Sequence, residues 1–265
     1  MIFLSPEFEK EWTGRLPFTE AFRLEGEVFR AVKSRRTFRF ELNGKSYFAK
    51  VHRGIGWREI IKNLLQLKMP VLSARNEYEA IRRLEKLGVA TMKVAAFGER
   101  GKNPARIESF IITEELTGTV SLEDFCRNWK TVPPPFALKR TLIEYLANVS
   151  RTLHRNGINH RDYYLCHFLL DQSNDQGNGI KASLIDLHRA QLREKTPLRW
   201  AVKDLAGLYF SAMDTGLTQR DIFRFMGIYA GVSLRETLRK DRAFWLAVRR
   251  TAVRLYQKEA VRPRG

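Results

Sequence analysis

The sequence predicts an α+β fold of two lobes: a small β-rich lobe over residues 1–116 and a larger, mainly helical lobe over residues 117–265. Three observations carry this expectation. Residues 27–51 alternate apolar and polar side chains in the manner of strands. From about residue 136 onward, apolar residues instead recur every three or four positions, as they do along helices. That helical remainder is interrupted once, where the stretch GINHRDYYLCHFLLD (157–171) sets His160, Arg161 and Asp162 directly before a short apolar strand.

Within the first lobe, EVFRAV, TFRFEL and KSYFAKV read as successive strands, with Phe38, Phe40 and Leu42 alternating against Arg39 and Glu41. Asn43-Gly44 supplies the two positive-φ residues of a type I′ turn, so TFRFEL and KSYFAKV form an antiparallel hairpin. IGWREIIKNLLQLKMP then repeats Trp57, Ile60, Ile61, Leu64, Leu65 and Leu67 at helical spacing among Arg58, Lys62 and Lys68, and Pro70 closes it. It reads as a basic amphipathic helix packed on the core; an interfacial helix against anionic lipid or an acidic carrier protein such as acyl carrier protein is the alternative. A second helix spans about 76–87, ending at Gly88 as its cap, and FIITEEL (110–116) reads as a buried strand.

In the second lobe, SLEDFCRNW begins a helix with Ser121 as N-cap. Pro133 to Pro135 break the chain, and a long helix follows with Leu142, Leu146, Val149 and Leu153 on one face. FLLD, the turn QSNDQGNG and ASLIDLH make a hairpin that returns Asp186 toward Asp162. The rest is helical in pattern and carries nearly half of the net positive charge.

The formal net charge of +18 on 265 residues draws the chain toward phosphates, acidic lipids, nucleic acid or an acidic protein. No helix-turn-helix, RRM or zinc signature supports nucleic acid as a partner. The only cysteines, Cys126 and Cys166, lie far apart, which argues against a disulfide framework or structural zinc and for a reducing compartment. MIFLSPEFEKEW lacks the basic start of a secretory signal, and no apolar run reaches the length of a membrane span. A cytoplasmic protein, peripheral to a membrane at most, is expected.

Four residues stand in a fixed order: Lys50 on the third strand, Glu77 on the following helix, Asp162 after His160-Arg161, and Asp186 after an apolar strand. Lys50 shares its strand face with Phe48, and Glu77 lies four and seven residues before Ile81 and Leu84, on the buried side of its helix, unlike Glu79. The order resembles the protein-kinase set of strand lysine, helix glutamate, catalytic loop and metal-binding aspartate. Phosphoryl transfer needs positioning and charge neutralisation rather than covalent help, which suits these residue types. On that resemblance Lys50, held by Glu77, contacts the nucleotide phosphates, Asp186 binds the bridging metal, and Asp162 takes the proton of the acceptor alcohol. His160 braces the loop, and Asp204 hydrogen-bonds its backbone.

The stretches GEVFR, RRTFRFELNGKSYFAK, REIIKNLLQLKMPVL, GINHRDYYLCHFLL, IDLHRAQLR and RWAVKDLAGLYFS together resemble the lipopolysaccharide core heptose(I) kinase family (WaaP/RfaP), over about residues 26–230. The resemblance implies a protein-kinase-like fold, ATP and Mg²⁺ as cosubstrates, and transfer of the γ-phosphate to a hydroxyl of the first heptose of the lipopolysaccharide inner core. It also implies action at the inner face of the cytoplasmic membrane of a Gram-negative cell. The sequence departs from typical protein kinases in three places. Ser34, Arg35 and Arg36 stand at the turn VKSRRT where a Gly-rich loop would be, and so become the candidate phosphate contacts. His167 replaces the usual second metal-binding Asn, and Asp186-Leu187-His188 replaces Asp-Phe-Gly. A kinase-like scaffold without turnover, and a kinase for a protein or another sugar, are the competing readings.

Overall fold

Strand periodicity between residues 2 and 114 produces one antiparallel sheet. The computed structural model describes residues 1–32, 34–66, 71–172 and 180–261. Two units emerge: Met1–Arg83 with Met92–Thr117, and Leu84–Thr91 with Gly118–Gly265. The first contains β1 (Ile2–Leu4), α1 (Pro6–Glu11), α2 (Pro17–Arg23), β2 (Glu27–Val32), β3 (Arg35–Leu42), β4 (Lys45–Arg53), α3 (Gly56–Leu65), most of α4 (Arg75–Lys86), β5 (Val94–Arg100) and β6 (Glu108–Glu114). The strands order as β1-β5-β6-β4-β3-β2.

Asn43 and Gly44 take φ of 51° and 73°, the two positive values that a type I′ turn demands, and Leu42 pairs with Lys45 across it. The register that follows sets Lys50 opposite Thr37 on one side and Ile111 on the other. Tyr47, Ala49 and Val51 alternate with Phe48 and Lys50, and only the former three are buried. Their face packs on Phe8 and Trp12 of the N-terminal helical segment and on Phe18 of α2, with the Phe8 ring edge-on to Tyr47 at 5.3 Å.

The helix α3 differs from its expected packing. Of its apolar residues only Ile60 is buried, while Trp57, Ile61, Leu64 and Leu65 are each more than half exposed. Their apolar stripe is not covered by the first unit, so helical periodicity alone misplaced it. Leu67, Lys68 and Pro70 lie outside the described residues. The helix α4 ends as expected: Gly88 takes φ 69°, and the N–H of Val89 donates back to Leu84 O at 3.0 Å.

The second unit holds β7 (Thr119–Ser121), α5 (Leu122–Phe125), α6 (Phe136–Arg155), β8 (Ile158–Asn159), β9 (Phe168–Asp171), β10 (Ala182–Leu184), β11 (Gln191–Leu192), α7 (Leu198–Ala212), α8 (Gln219–Ala230), α9 (Leu234–Lys240) and α10 (Arg242–Ala260). Ser121 Oγ accepts from the N–H of Asp124, which starts α5. The strands β9 and β10 form the expected hairpin, although most of its turn, 173–179, lies outside the described residues. Residues 84–91 belong with this unit because Leu184 N–H donates to Ala90 O at 2.9 Å and Thr91 Oγ1 donates to Leu184 O at 2.7 Å. Packing of α10 on α7 buries Leu205, Ala206, Val248 and Ala252. A cavity of about 770 Å³ opens within this unit among Leu122, Leu142, Leu146, Leu205, Met226 and Trp245.

Candidate active site

In the first unit, the register of β4 and the phase of α4 bring two charges together. Lys50 Nζ donates to Glu77 Oε1 at 2.6 Å, and Glu77 is almost wholly buried at 3 % exposure. Glu79, the alternative, is only half-buried and pairs with Arg75 at 3.8 Å. A carboxylate this deep requires a charged partner, so the pair fixes the lysine ammonium on its strand. At the β2–β3 turn the carbonyl of Ser34 accepts from Arg53 N–H at 2.9 Å. Arg35 lies in β3 opposite His52. The Arg36 guanidinium donates to Leu24 O at 2.6 Å and lies over the Phe38 ring at 4.4 Å. The Arg36 side chain therefore holds the end of α2 to the sheet.

In the second unit, the carboxylates sit on irregular backbone. Arg161 has φ 77° and Asp186 has φ 61°, conformations that side-chain-bearing residues rarely adopt and that cost roughly 1–3 kcal/mol each. The buried carboxylate of Asp204, on α7, accepts from the N–H of His160 at 2.6 Å and from that of Arg161 at 2.9 Å, which holds the strained loop. His160 Nε2 meets Ile185 O at 2.9 Å; because a carbonyl only accepts, that nitrogen carries the proton. Burial keeps the His160 ring below its ordinary pKa, hence neutral. Tyr163, next to the loop, is buried with its hydroxyl 2.9 Å from Ser150 Oγ.

These anchors present Asp162 at the surface of the loop. Both of its oxygens accept from one Arg189 guanidinium nitrogen, at 2.8 and 3.1 Å. His167 Nδ1 meets the Asp162 carbonyl at 2.6 Å, so Nδ1 bears the proton and Nε2 keeps its lone pair in the neutral ring. That Nε2 lies 3.7 Å from Asp186 Oδ2, while His188 Nδ1 donates to Asp186 Oδ1 at 2.6 Å. His167 thus links the two carboxylate-bearing turns: its ring bonds one and faces the other.

Among the described residues, no three His, Cys, Asp or Glu side chains are grouped to hold a metal ion unaided. Mg²⁺ does not need such a cage, since it keeps several waters and is bound through one or two carboxylates plus substrate phosphates. Asp186, one-third exposed, fits that demand, with the His167 imidazole beside it. The two free thiols are poor nucleophiles, since burial pushes Cys126 up to about 12 and Cys166 up to about 11.

Sequence reasoning missed Arg189. Its link to Asp162 spans 27 residues, and no spacing rule connects the two. The only available signal was an arginine three positions after Asp186.

A strand lysine held by a buried helix glutamate, with a braced His-Arg-Asp loop and an aspartate at the end of an apolar hairpin, defines a phosphotransferase of the protein-kinase-like type. Residues 19–229 match the lipopolysaccharide kinase (Kdo/WaaP) family, and the chain belongs to it. The lipopolysaccharide core heptose(I) kinase WaaP of Pseudomonas aeruginosa is 51% identical over 259 residues, 97% of each chain. The lipopolysaccharide core heptose(I) kinase WaaP of Escherichia coli is 54% identical over 242 residues, 91% of each. A solved structure described as WaaP in complex with acyl carrier protein superposes with a TM-score of 0.84 at 46% identity, covering 97% of this chain and 99% of that one.

Proposed function

We propose that this chain transfers the γ-phosphate of ATP to a hydroxyl of the first heptose of the lipopolysaccharide inner core. The observation that carries the reading is the braced loop: a buried Asp204 carboxylate holds two backbone N–H groups so that Asp162 is presented to an incoming hydroxyl. Asp162 orients that hydroxyl and accepts its proton. Lys50, fixed by Glu77, binds the α- and β-phosphates. Ser34, Arg35 and Arg36 supply further phosphate contacts, and Arg36 exchanges its bond to Leu24 O to do so. Mg²⁺, held by Asp186 with His167, supplies neutralisation of the phosphate charge.

The test supplies γ-labelled ATP with either unphosphorylated core lipopolysaccharide or denatured protein. Label should enter the lipopolysaccharide only, and Asp162→Asn should reduce the rate by about 10² or more. Label in the protein acceptor, or full activity in Asp162→Asn, overturns the reading.

A partner reading is favoured by the apolar cavity of the second unit. We infer that an acyl carrier protein docks on this chain with its acyl group in that cavity, whose lining of Leu122, Leu142, Leu146 and Met226 suits a hydrocarbon chain. The net charge of +18 complements an acidic carrier. An acylated carrier should bind more tightly than the same carrier without its acyl chain, measured by calorimetry. The exposed apolar stripe of α3, flanked by Arg58 and Lys62, supports contact with an anionic membrane surface.

A further inference from the structure

Four cations gather around one indole ring in the second unit. Lys203 Nζ lies 4.9 Å from the centre of the Trp200 ring, the guanidinium carbons of Arg161 and Arg199 lie at 5.3 Å, and that of Arg193 at 6.0 Å. Attraction to the ring face explains why each can sit there, but it does not offset their mutual repulsion. Direct ion pairing does not offset it either. Among the described residues, the Arg161, Arg199 and Lys203 side chains form no ion pair, and Arg193 bonds only the neutral amides of Asn159 and Gln191, at 2.6 and 2.7 Å.

Two further features add positive potential. The helix α7 begins at Leu198 with no acidic residue in its first turn and no side-chain cap, so its N-terminal dipole faces outward among Arg199 and Lys203. The Trp200 indole N–H is buried and has no hydrogen-bond partner among the described residues. Burial first, and then the nearby Arg189, lower the Arg161 guanidinium pKa, while Asp162 and Asp204 act in the opposite direction. The cluster also adjoins the reacting group, since Arg161 precedes Asp162 and Arg189 is bonded to it.

We infer that Arg161, Arg193, Arg199 and Lys203, arranged around Trp200, form the subsite that grips anionic groups of the acceptor saccharide, carboxylate or phosphate. The inference rests on the proposed transfer to a core sugar and names the residues that would hold that sugar. An anion there neutralises cations that have no direct ion pair among the described residues, and it tethers the saccharide near the loop that carries Asp162. Arg199 and Lys203 are exposed, so they can be changed without disturbing the core.

Calorimetry with lipid-free inner-core oligosaccharide, and separately with ATP, tests this on the full chain. Arg199→Gln with Lys203→Gln should weaken oligosaccharide binding by about tenfold or more and leave ATP affinity unaltered. Carboxyl-reduced and dephosphorylated oligosaccharides assign the anion: whichever loses the difference between wild type and double variant carries it. If the double variant binds oligosaccharide as tightly as the wild type, the subsite is overturned while the kinase reading stands. If ATP binding weakens instead, the cluster serves the nucleotide and the inference is equally overturned. If the wild type neither binds nor phosphorylates the oligosaccharide, the proposed acceptor itself fails. Lys203→Glu alone provides an independent variant, for which the loss should be larger than for Lys203→Gln.

Discussion

The two units place their functional charges by opposite means. In the first, Lys50 stands midway along β4, paired on both sides by β3 and β6, and meets Glu77 from a regular helix. In the second, Asp162 and Asp186 lie on turns with left-handed residues beside or at them, next to strands only two to four residues long. Regular elements position a charge through register alone. Irregular backbone must be held by polar groups, here the buried Asp204, His160 and Tyr163 and the half-buried His167. The first design resists loss of its charges in shape, though not in function; the second depends on its charges for its shape.

Asp204→Ala should break that second design most severely. It strands two backbone N–H groups, one of them fully buried, and should cost about 4 kcal/mol in urea unfolding, with phosphate transfer lost as well. Lys50→Met tests the first design. It leaves Glu77 buried without its partner, costing about 3 kcal/mol, and should abolish transfer while the sheet retains its far-ultraviolet circular dichroism.

Acid sharpens the contrast further. The pKa of His160 in the folded chain is below its ordinary 6.5, so the stability due to its neutral ring is complete above 6.5 and is lost as pH falls through the lowered value. Thermal melts should therefore drop on acidification below pH 6.5, and His160→Asn should flatten that slope. The smallest effect belongs to α3. Replacing Ile61 or Leu65 with Ser should change stability by within about 0.5 kcal/mol, because both are exposed, yet should reduce co-sedimentation with anionic vesicles.

The same contrast governs what could be read from the residues. Period-two alternation with Asn43-Gly44 gave the β3–β4 hairpin, and helix phase singled out Glu77 over Glu79, because both depend on neighbours in sequence. The loop brace was legible only through the kinase resemblance, which pointed to His160 and Asp204. The ion pair of Arg189 with Asp162, the bond from Arg36 to Leu24 and the cations around Trp200 were not legible, since each joins side chains through a tertiary path that no periodicity encodes. The uncovered stripe of α3 failed for the converse reason: amphipathic spacing shows that a helix has an apolar face, not what covers it.

Behind the Asp162 loop, Gly157 takes φ 75° and its carbonyl accepts from Arg193 N–H at 2.9 Å; a Cβ there would lie 1.8 Å from the Arg193 carbonyl oxygen. Only a hydrogen atom fits between these two backbone segments, so the entry to the loop and the segment that follows β11 are obliged to move together. For anyone retuning acceptor choice by directed evolution, positions 199 and 203 are open ground, whereas a library that includes 157 would spend its diversity on chains that cannot close.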